Sequence, residues 1–292
     1  ATAIRDGEPT GRYLTFDPAV ASDRSNPRGW LFHQQPDDWS AYENGRSILF
    51  GLDEVQGYSP IQLYPYWSLI RRVDREAPIY YNAAHLQRLD RSILRLFAIH
   101  WLIQPLHQAN NVATEGRYGL SPVEPILPFP RSSLVFTWRI VPPGEGLDDT
   151  LRLLQPDQAI VSPAHGAQPP SSPGPPAGGG GVYRYQELAP NHVRVEFSAG
   201  GPGLLVVRNA YDRGWTATVD GREQPVLVAD YMMQGVPVPA GTHVVDLEYR
   251  DEPVGVGLAV SGVGWGVLGA AVVAAWSYRR RRRSPQAASA VQ

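Results

Sequence analysis

The chain of 292 residues contains no cysteine and only 2 methionines, and every one of its 26 basic residues is arginine. Without cysteine there is no disulfide framework, no thiol nucleophile and no cysteine-based metal site. Runs of one charge are also missing, except for five consecutive arginines: Arg279, Arg280, Arg281, Arg282 and Arg283. Leaving those aside, 21 basic residues stand against 28 acidic ones, a formal charge of −7 for the rest of the chain. Such a balance argues against a polyanion-binding surface, and no nucleic-acid partner is expected.

Catalytic motifs are equally scarce. The seven histidines, His33, His85, His100, His107, His165, His192 and His243, show neither HExxH nor any paired spacing, so no metal site is expected. No GxSxG nucleophile elbow occurs, and no glycine-rich phosphate loop precedes a helix, so no cofactor is expected. The adjacent acids Asp37–Asp38, Asp53–Glu54 and Asp148–Asp149 point in different directions and do not define a general acid and base facing one substrate. No catalytic residue is assigned.

What is present is a long uncharged run. Between Glu252 and Arg279 the chain reads PVGVGLAVSGVGWGVLGAAVVAAWSY. As a helix it reaches roughly 35–39 Å, against ~30 Å for a bilayer core. Trp276 and Tyr278 stand where an interfacial aromatic belt would lie, and the five arginines follow at once. The expectation is a transmembrane helix over 253–278, with a basic cytoplasmic tail over 279–292 and the preceding residues outside the cell membrane. Gly264, Gly266 and Gly269 spell GxGxxG, but inside an apolar span with no acid about twenty positions later they are no dinucleotide fingerprint. Gly262, Gly266, Ala270 and Ala274 form a small-residue face that admits a close helix, or they simply dilute the span. The N-terminal stretch ATAIRDGEPTGRYLTFDP lacks a basic and apolar signal sequence, so export of the exterior part is expected to depend on membrane segments upstream in a larger protein.

The Pro-, Gly- and Ser-rich stretch over 162–181 reads as a flexible linker or long loop dividing the exterior part in two. After it, over 182–252, the period is two: Val193, Val195 and Phe197 alternate with Arg194 and Glu196, and Val245, Leu247 and Tyr249 with Asp246, Glu248 and Arg250. With Asp220-Gly221 as a hairpin turn, about six short strands predict a small antiparallel β-sandwich with Trp215 in its core. Before it, over 1–161, the pattern is mixed. RSILFGL, AIHWLIQ, SSLVFTWRIV and QAIVS read as strands, GLDDTLRLL as a short helix, and AAHLQRLDRSILRLF as a helix with Leu86, Leu89, Ile93 and Leu96 on one face. The fold class is therefore α+β: a mixed α/β lobe, a β-sandwich lobe and one C-terminal transmembrane helix.

The stretch GLDEVQGYSPIQLYPYWSLIRR combines Asp53 and Glu54 with Tyr58, Tyr64, Tyr66 and Trp67. Ring faces meet sugar C–H groups while acids accept hydroxyls, which makes Asp53, Glu54, Tyr58, Tyr64 and Trp67 candidate glycan contacts. The same mix suits an ordinary helix packed by its aromatics onto a sheet.

Several stretches in order resemble the YfhO-like bacterial multi-pass membrane proteins, a group related to the C-superfamily glycosyltransferases. They are GRYL, LFGLDEVQGYSPIQLYPYWSLI, LRLFAIHWLI, LPFPRSSLVF and, most specifically, NAYDRGWTATVDGREQPVLVADYMMQGVPVPAGTHVVDLEYR. In the last, Gly214, Trp215, Asp220, Gly221, Pro239, Ala240, Gly241 and His243 carry the likeness. The resemblance implies the exterior C-terminal region and last membrane helix of such a protein. That region would support sugar transfer from a lipid-linked donor to a cell-envelope acceptor, with membrane lipid and upstream helices of the same protein as neighbours. The acidic catalytic residue that such transferases carry on their first exterior loop has no counterpart here, and Tyr249-Arg250 is followed by Asp251 and Glu252 before Pro253 where the family has Tyr-x-Pro. The alternative is a non-enzymatic, membrane-anchored module that binds a glycan or a protein.

Overall fold

A computed structural model describes residues 11–16, 51–55, 63–75, 79–80, 83–84, 86–105, 113–115, 118–123 and 129–282. They divide into two compact units, the first ending at Glu248 and the second beginning at Tyr249.

The first unit contains three principal sheets and a two-stranded ribbon of β2 (Ile79–Tyr80) and β3 (Ala83–Ala84). A four-stranded sheet runs in the order β1 (Arg12–Thr15), β4 (Ile99–Pro105), β6 (Tyr118–Pro122), β5 (Ala113–Glu115), with β1 and β4 parallel. A six-stranded sheet runs β7 (Ser132–Val135), β12 (Gly203–Ala210), β16 (Met233–Val238), β15 (Leu227–Ala229), β9 (Gln158–Ser162), β8 (Thr137–Ile140). A five-stranded sheet runs β10 (Gly180–Ala189), β11 (His192–Ala199), β17 (Gly241–Tyr249), β13 (Trp215–Val219), β14 (Arg222–Gln224).

The period-two pattern explains the five-stranded sheet. Val193 stands opposite Leu247 and Val195 opposite Val245, and all four are buried. They join Leu205, Val207, Val236 and Val238 of the six-stranded sheet in one core. The GLLVV run of β12 is apolar throughout because both of its faces are covered: Leu205 and Val207 enter that core, and Leu204 and Val206 enter a second with Trp138, Val161 and Leu227. Trp215 is partly buried against the first core.

Three expectations change. SSLVFTWRIV forms two strands, β7 and β8, at opposite edges of one sheet, so the edges meet at Phe136 and the sheet is curled. The 162–181 stretch does not stand between separate sheets, because β7, β8 and β9 from before it share the six-stranded sheet with β12, β15 and β16 from after it. It lies as a strap: Trp138 donates its indole N–H to Pro170 O (2.8 Å) and its backbone N–H to Ser172 Oγ (3.1 Å), and Phe136 O accepts from Ser172 Oγ and Gly174 N, both at 3.0 Å. Its last two residues open β10, a strand that periodicity did not mark. Third, the helix expected over AAHLQRLDRSILRLF shrinks to α2 (Arg91–Leu96). Asp74 Oδ2 takes the N–H groups of Gln87 (2.7 Å) and Arg88 (3.1 Å), and Asp90 caps the helix through Ser92 N (2.7 Å). Side chains thus claim the amides that a longer helix needs. Leu86, Leu89, Ile93 and Leu96 still reach one core.

The remaining elements of this unit are α1 (Tyr64–Val73), with Pro65 in its first turn, and α3 (Leu147–Leu153), with Asp148 and Asp149 at its N-terminus as expected. The strand expected over 46–52 lies almost wholly outside the described residues.

The second unit is dominated by α4 (Glu252–Arg282). Within it Pro253–Arg280, 28 residues, is long and apolar enough to cross a membrane. At ~1.5 Å per residue it spans about 42 Å. Trp276 and Tyr278 are exposed on its surface, and the Arg280 guanidinium lies 5.1 Å from the Trp276 ring centre. Arg279 completes the described flank; Arg281 and Arg282 continue the helix, and Arg283 lies outside the described residues.

Candidate functional site

The three sheets of the first unit meet at a buried arginine. Backbone pairing sets the site up from three directions. Beside β1, Tyr13 N donates to Asp53 O (3.1 Å) and Val55 N to Tyr13 O (3.3 Å), which fixes Asp53 next to Arg12. In the six-stranded sheet Val207 pairs with Ser132, and Arg208 N donates to Arg131 O (2.8 Å), setting Arg131 against Arg208 and Asn209. From the five-stranded sheet β10 contributes Tyr185 and Glu187.

Arg131 is the hub. Its Nη1 donates to Asp53 Oδ2 (2.5 Å), and its Nη2 donates to the Tyr185 hydroxyl (3.1 Å), to Asn209 Oδ1 (3.0 Å) and to Glu187 Oε1. Its guanidinium also lies 5.2 Å from the centre of the Tyr185 ring. Arg12 runs alongside, donating to Arg208 O (2.5 Å), Phe97 O (3.3 Å) and Asn209 Oδ1 (2.9 Å). The Tyr185 hydroxyl donates to Glu187 Oε1 (2.8 Å) and accepts from Asn209 Nδ2 (3.3 Å). The Arg131 side chain is 3% exposed, whereas those of Asp53 and Glu187 are 43% and 39% exposed. A buried cation is therefore covered by two carboxylates that reach solvent.

The titration behaviour follows from that arrangement. Burial alone would raise the Asp53 carboxyl, but the charges of Arg131 and Arg12 and the Arg131 hydrogen bond together hold it below the usual carboxylate range. Burial, helped by the like charge of Arg131, lowers Arg12 to about 10. Burial opposes the charge on Arg131 too, yet Tyr185, Glu187 and Asp53 raise its pKa on balance. Tyr185 is pushed up to about 12, chiefly by burial, and stays a hydrogen-bond donor at neutral pH.

Of the five candidate glycan contacts, Asp53 alone enters this cluster among the described residues. Glu54 bridges to Tyr13 and adds to the upward shift that burial gives the Tyr66 hydroxyl, so the two adjacent acids serve different neighbours. Tyr64 is 80% exposed on α1. Trp67 packs partly buried on the core, edge-on to Tyr66 with ring centres 5.9 Å apart, in line with the packing alternative. Tyr58 lies outside the described residues. Motif reading missed Arg12, Arg131, Tyr185, Glu187 and Asn209. A signal was nonetheless there: GRYL, GLDEVQGY, LRLFAIHW, LPFPRSS and RNAYDRGW each supply a group to the cluster, respectively Arg12, Asp53, the Phe97 carbonyl, Arg131 and Asn209.

Two other polar foci lie in the same unit. The Asp220-Gly221 turn has both residues at positive φ (49° and 77°), and Asp220 is tied to β17 by His243 Nδ1 (2.5 Å) and by Val244 N (3.0 Å). His243 Nε2 faces Ala240 O (2.9 Å), and a Cβ on Gly241 (φ 117°) would stand 2.8 Å from that nitrogen. Hydrogen bonds on both ring nitrogens raise the His243 pKa, while the His243 bond lowers that of Asp220. Asp220 and His243 line an open groove of about 670 Å³ together with Trp138, Pro170, Pro237 and Pro239. The second focus is Asp230, 2% exposed, which accepts from Ile160 N (3.1 Å) and lines a cavity of about 170 Å³. Burial raises its pKa to about 6 against the attraction of Arg208, itself lowered to about 10 by burial.

A family model described as the bacterial membrane protein YfhO matches residues 184–261. No curated protein and no solved structure matches the chain. The matched segment runs from β10 through β17 into α4 and carries Tyr185, Glu187, Asn209, Asp220 and His243. That segment, which ends inside the apolar helix, is similar to the bacterial membrane protein YfhO.

Proposed function

We propose that the first unit lies on the outer face of the cell membrane and supports transfer of a sugar from a lipid-linked donor to a cell-envelope acceptor. α4 is the anchor, with the arginines after it on the cytoplasmic side. Membrane lipid and the other membrane helices of the same protein are the neighbours of α4, and the envelope glycan is the partner of the first unit. The observation that carries the reading is the convergence on the polar cluster at Arg131 of Tyr185, Glu187 and Asn209 from the YfhO-matched segment with Arg12, Asp53 and Arg131 from before it. The aromatic and arginine flank of an apolar helix supports the membrane placement.

The test is transfer of a radiolabelled sugar from lipid-linked donor to envelope polymer in membranes of the host bacterium. Transfer is expected to fall when the chain is deleted and to return when it is restored. Unchanged transfer, together with lost retention of the envelope glycan, would favour the anchored binding module instead.

A further inference from the structure

Among the described residues the cluster at Arg131 is balanced in charge: Arg12 and Arg131 carry two positive charges, Asp53 and Glu187 two negative ones. Each carboxylate uses one oxygen, Asp53 Oδ2 and Glu187 Oε1, on one of the two terminal nitrogens of Arg131. Their other oxygens, Asp53 Oδ1 and Glu187 Oε2, accept no hydrogen bond within the described residues, and both side chains reach solvent. One guanidinium thus holds two carboxylates, each with one oxygen left over and a side chain that reaches solvent.

We propose that this cluster is a subsite for a neutral polyhydroxylated ligand, a pyranoside whose hydroxyls donate to Asp53 Oδ1 and Glu187 Oε2. The inference rests on the sugar-transfer reading and names where the sugar is held. Charge selects the ligand class. A cation gains little from carboxylates already matched at contact distance by buried arginines, and among the described residues no group of three or more His, Asp or Glu could hold a metal. An anion would meet the carboxylates first, since the arginine side chains lie at 3% and 14% exposure. Hydroxyl donors meet neither obstacle. A charged acceptor roughly doubles the strength of each bond, and carboxylates pinned by a buried guanidinium lose little freedom when the ligand arrives.

The experiment is saturation-transfer NMR on the full chain in sugar-free lipid nanodiscs, with the methyl glycosides of glucose, galactose, mannose and N-acetylglucosamine as probes. At least one glycoside is expected to give a saturable signal. Asp53→Asn and Glu187→Gln keep an oxygen for Arg131 but remove the charge, and each should weaken the apparent affinity about tenfold. Thermal unfolding of the same samples checks the fold; if Asp53→Asn unfolds, Glu187→Gln decides, since β10 remains paired with β11. No signal from any of the four glycosides, or equal affinity in the variants, overturns the subsite. Absent glycoside binding with chain-dependent transfer removes the subsite and leaves the transfer role; binding without chain-dependent transfer does the reverse.

Discussion

Asp230 makes the stability of the first unit depend on pH in a direction opposite to ordinary acid denaturation. Its carboxyl is 2% exposed and its pKa rises from 3.8 to about 6, so the folded state holds this proton more tightly than the unfolded chain. The associated stabilisation is complete below 3.8 and is lost as the pH rises through about 6. At about 1.36 kcal/mol per pH unit the interval amounts to about 3 kcal/mol. The perturbation is Asp230→Asn, which keeps an acceptor for Ile160 N and removes the charge. The assay is thermal unfolding between pH 4 and 7, followed by tryptophan fluorescence, with Trp138 lining the same cavity. Because other carboxylates lose stability in acid, the informative quantity is the difference between variant and parent. The two should unfold at similar temperatures near pH 4, and the variant should gain roughly 6–12 °C on the parent by pH 7. A difference that stays constant across that range would refute the reasoning.

Arg131→Met removes the hub between the three sheets. Since Asp53 and Glu187 are 43% and 39% exposed and rehydrate, the cost should be about 2 kcal/mol, below the ~3–5 kcal/mol of a fully buried pair. Thermal unfolding should fall by roughly 4–8 °C, and an unchanged value would show that the network does not hold the sheets together. Gly241→Ala forces a Cβ to within 2.8 Å of His243 Nε2 at a φ of 117°, so it should cost about 1–2 kcal/mol and lower the His243 pKa in an NMR titration. The His243–Asp220 bond contributes between the lowered pKa of Asp220 and the raised pKa of His243, and is lost as the pH rises through the latter; Asp220→Asn should return His243 towards 6.5. Since the chain has no cysteine, Ser284→Cys supplies a single thiol, which an impermeant maleimide should label from the cytoplasmic side alone; labelling from outside would reverse the orientation.

Local chemistry made part of this molecule legible in the sequence. An uncharged apolar run followed by arginines can be little other than a long apolar helix, and alternation in β11 and β17 dictates which side chains are buried, because period and length act within one segment. Asp220-Gly221 and the acids of α3 could be read for the same reason. Pairing between distant strands could not. Nothing within SSLVFTWRIV says that its halves take opposite edges of one sheet, and nothing in the Pro-rich stretch says that Trp138 will pin it as a strap. Asp74, from outside the segment, and Asp90, within it, shortened a helix whose periodicity was sound, since their side chains took its amides. The cluster at Arg131 depends most on tertiary structure. Its charges lie far apart along the chain and acquire meaning only when three sheets bring them to hydrogen-bond distance and remove the water between them. The sequence alone determined the apolar helix, the strand faces and the residue types available; the packing of the sheets decided which of those residues form one site, because burial and contact distance are properties of the folded chain.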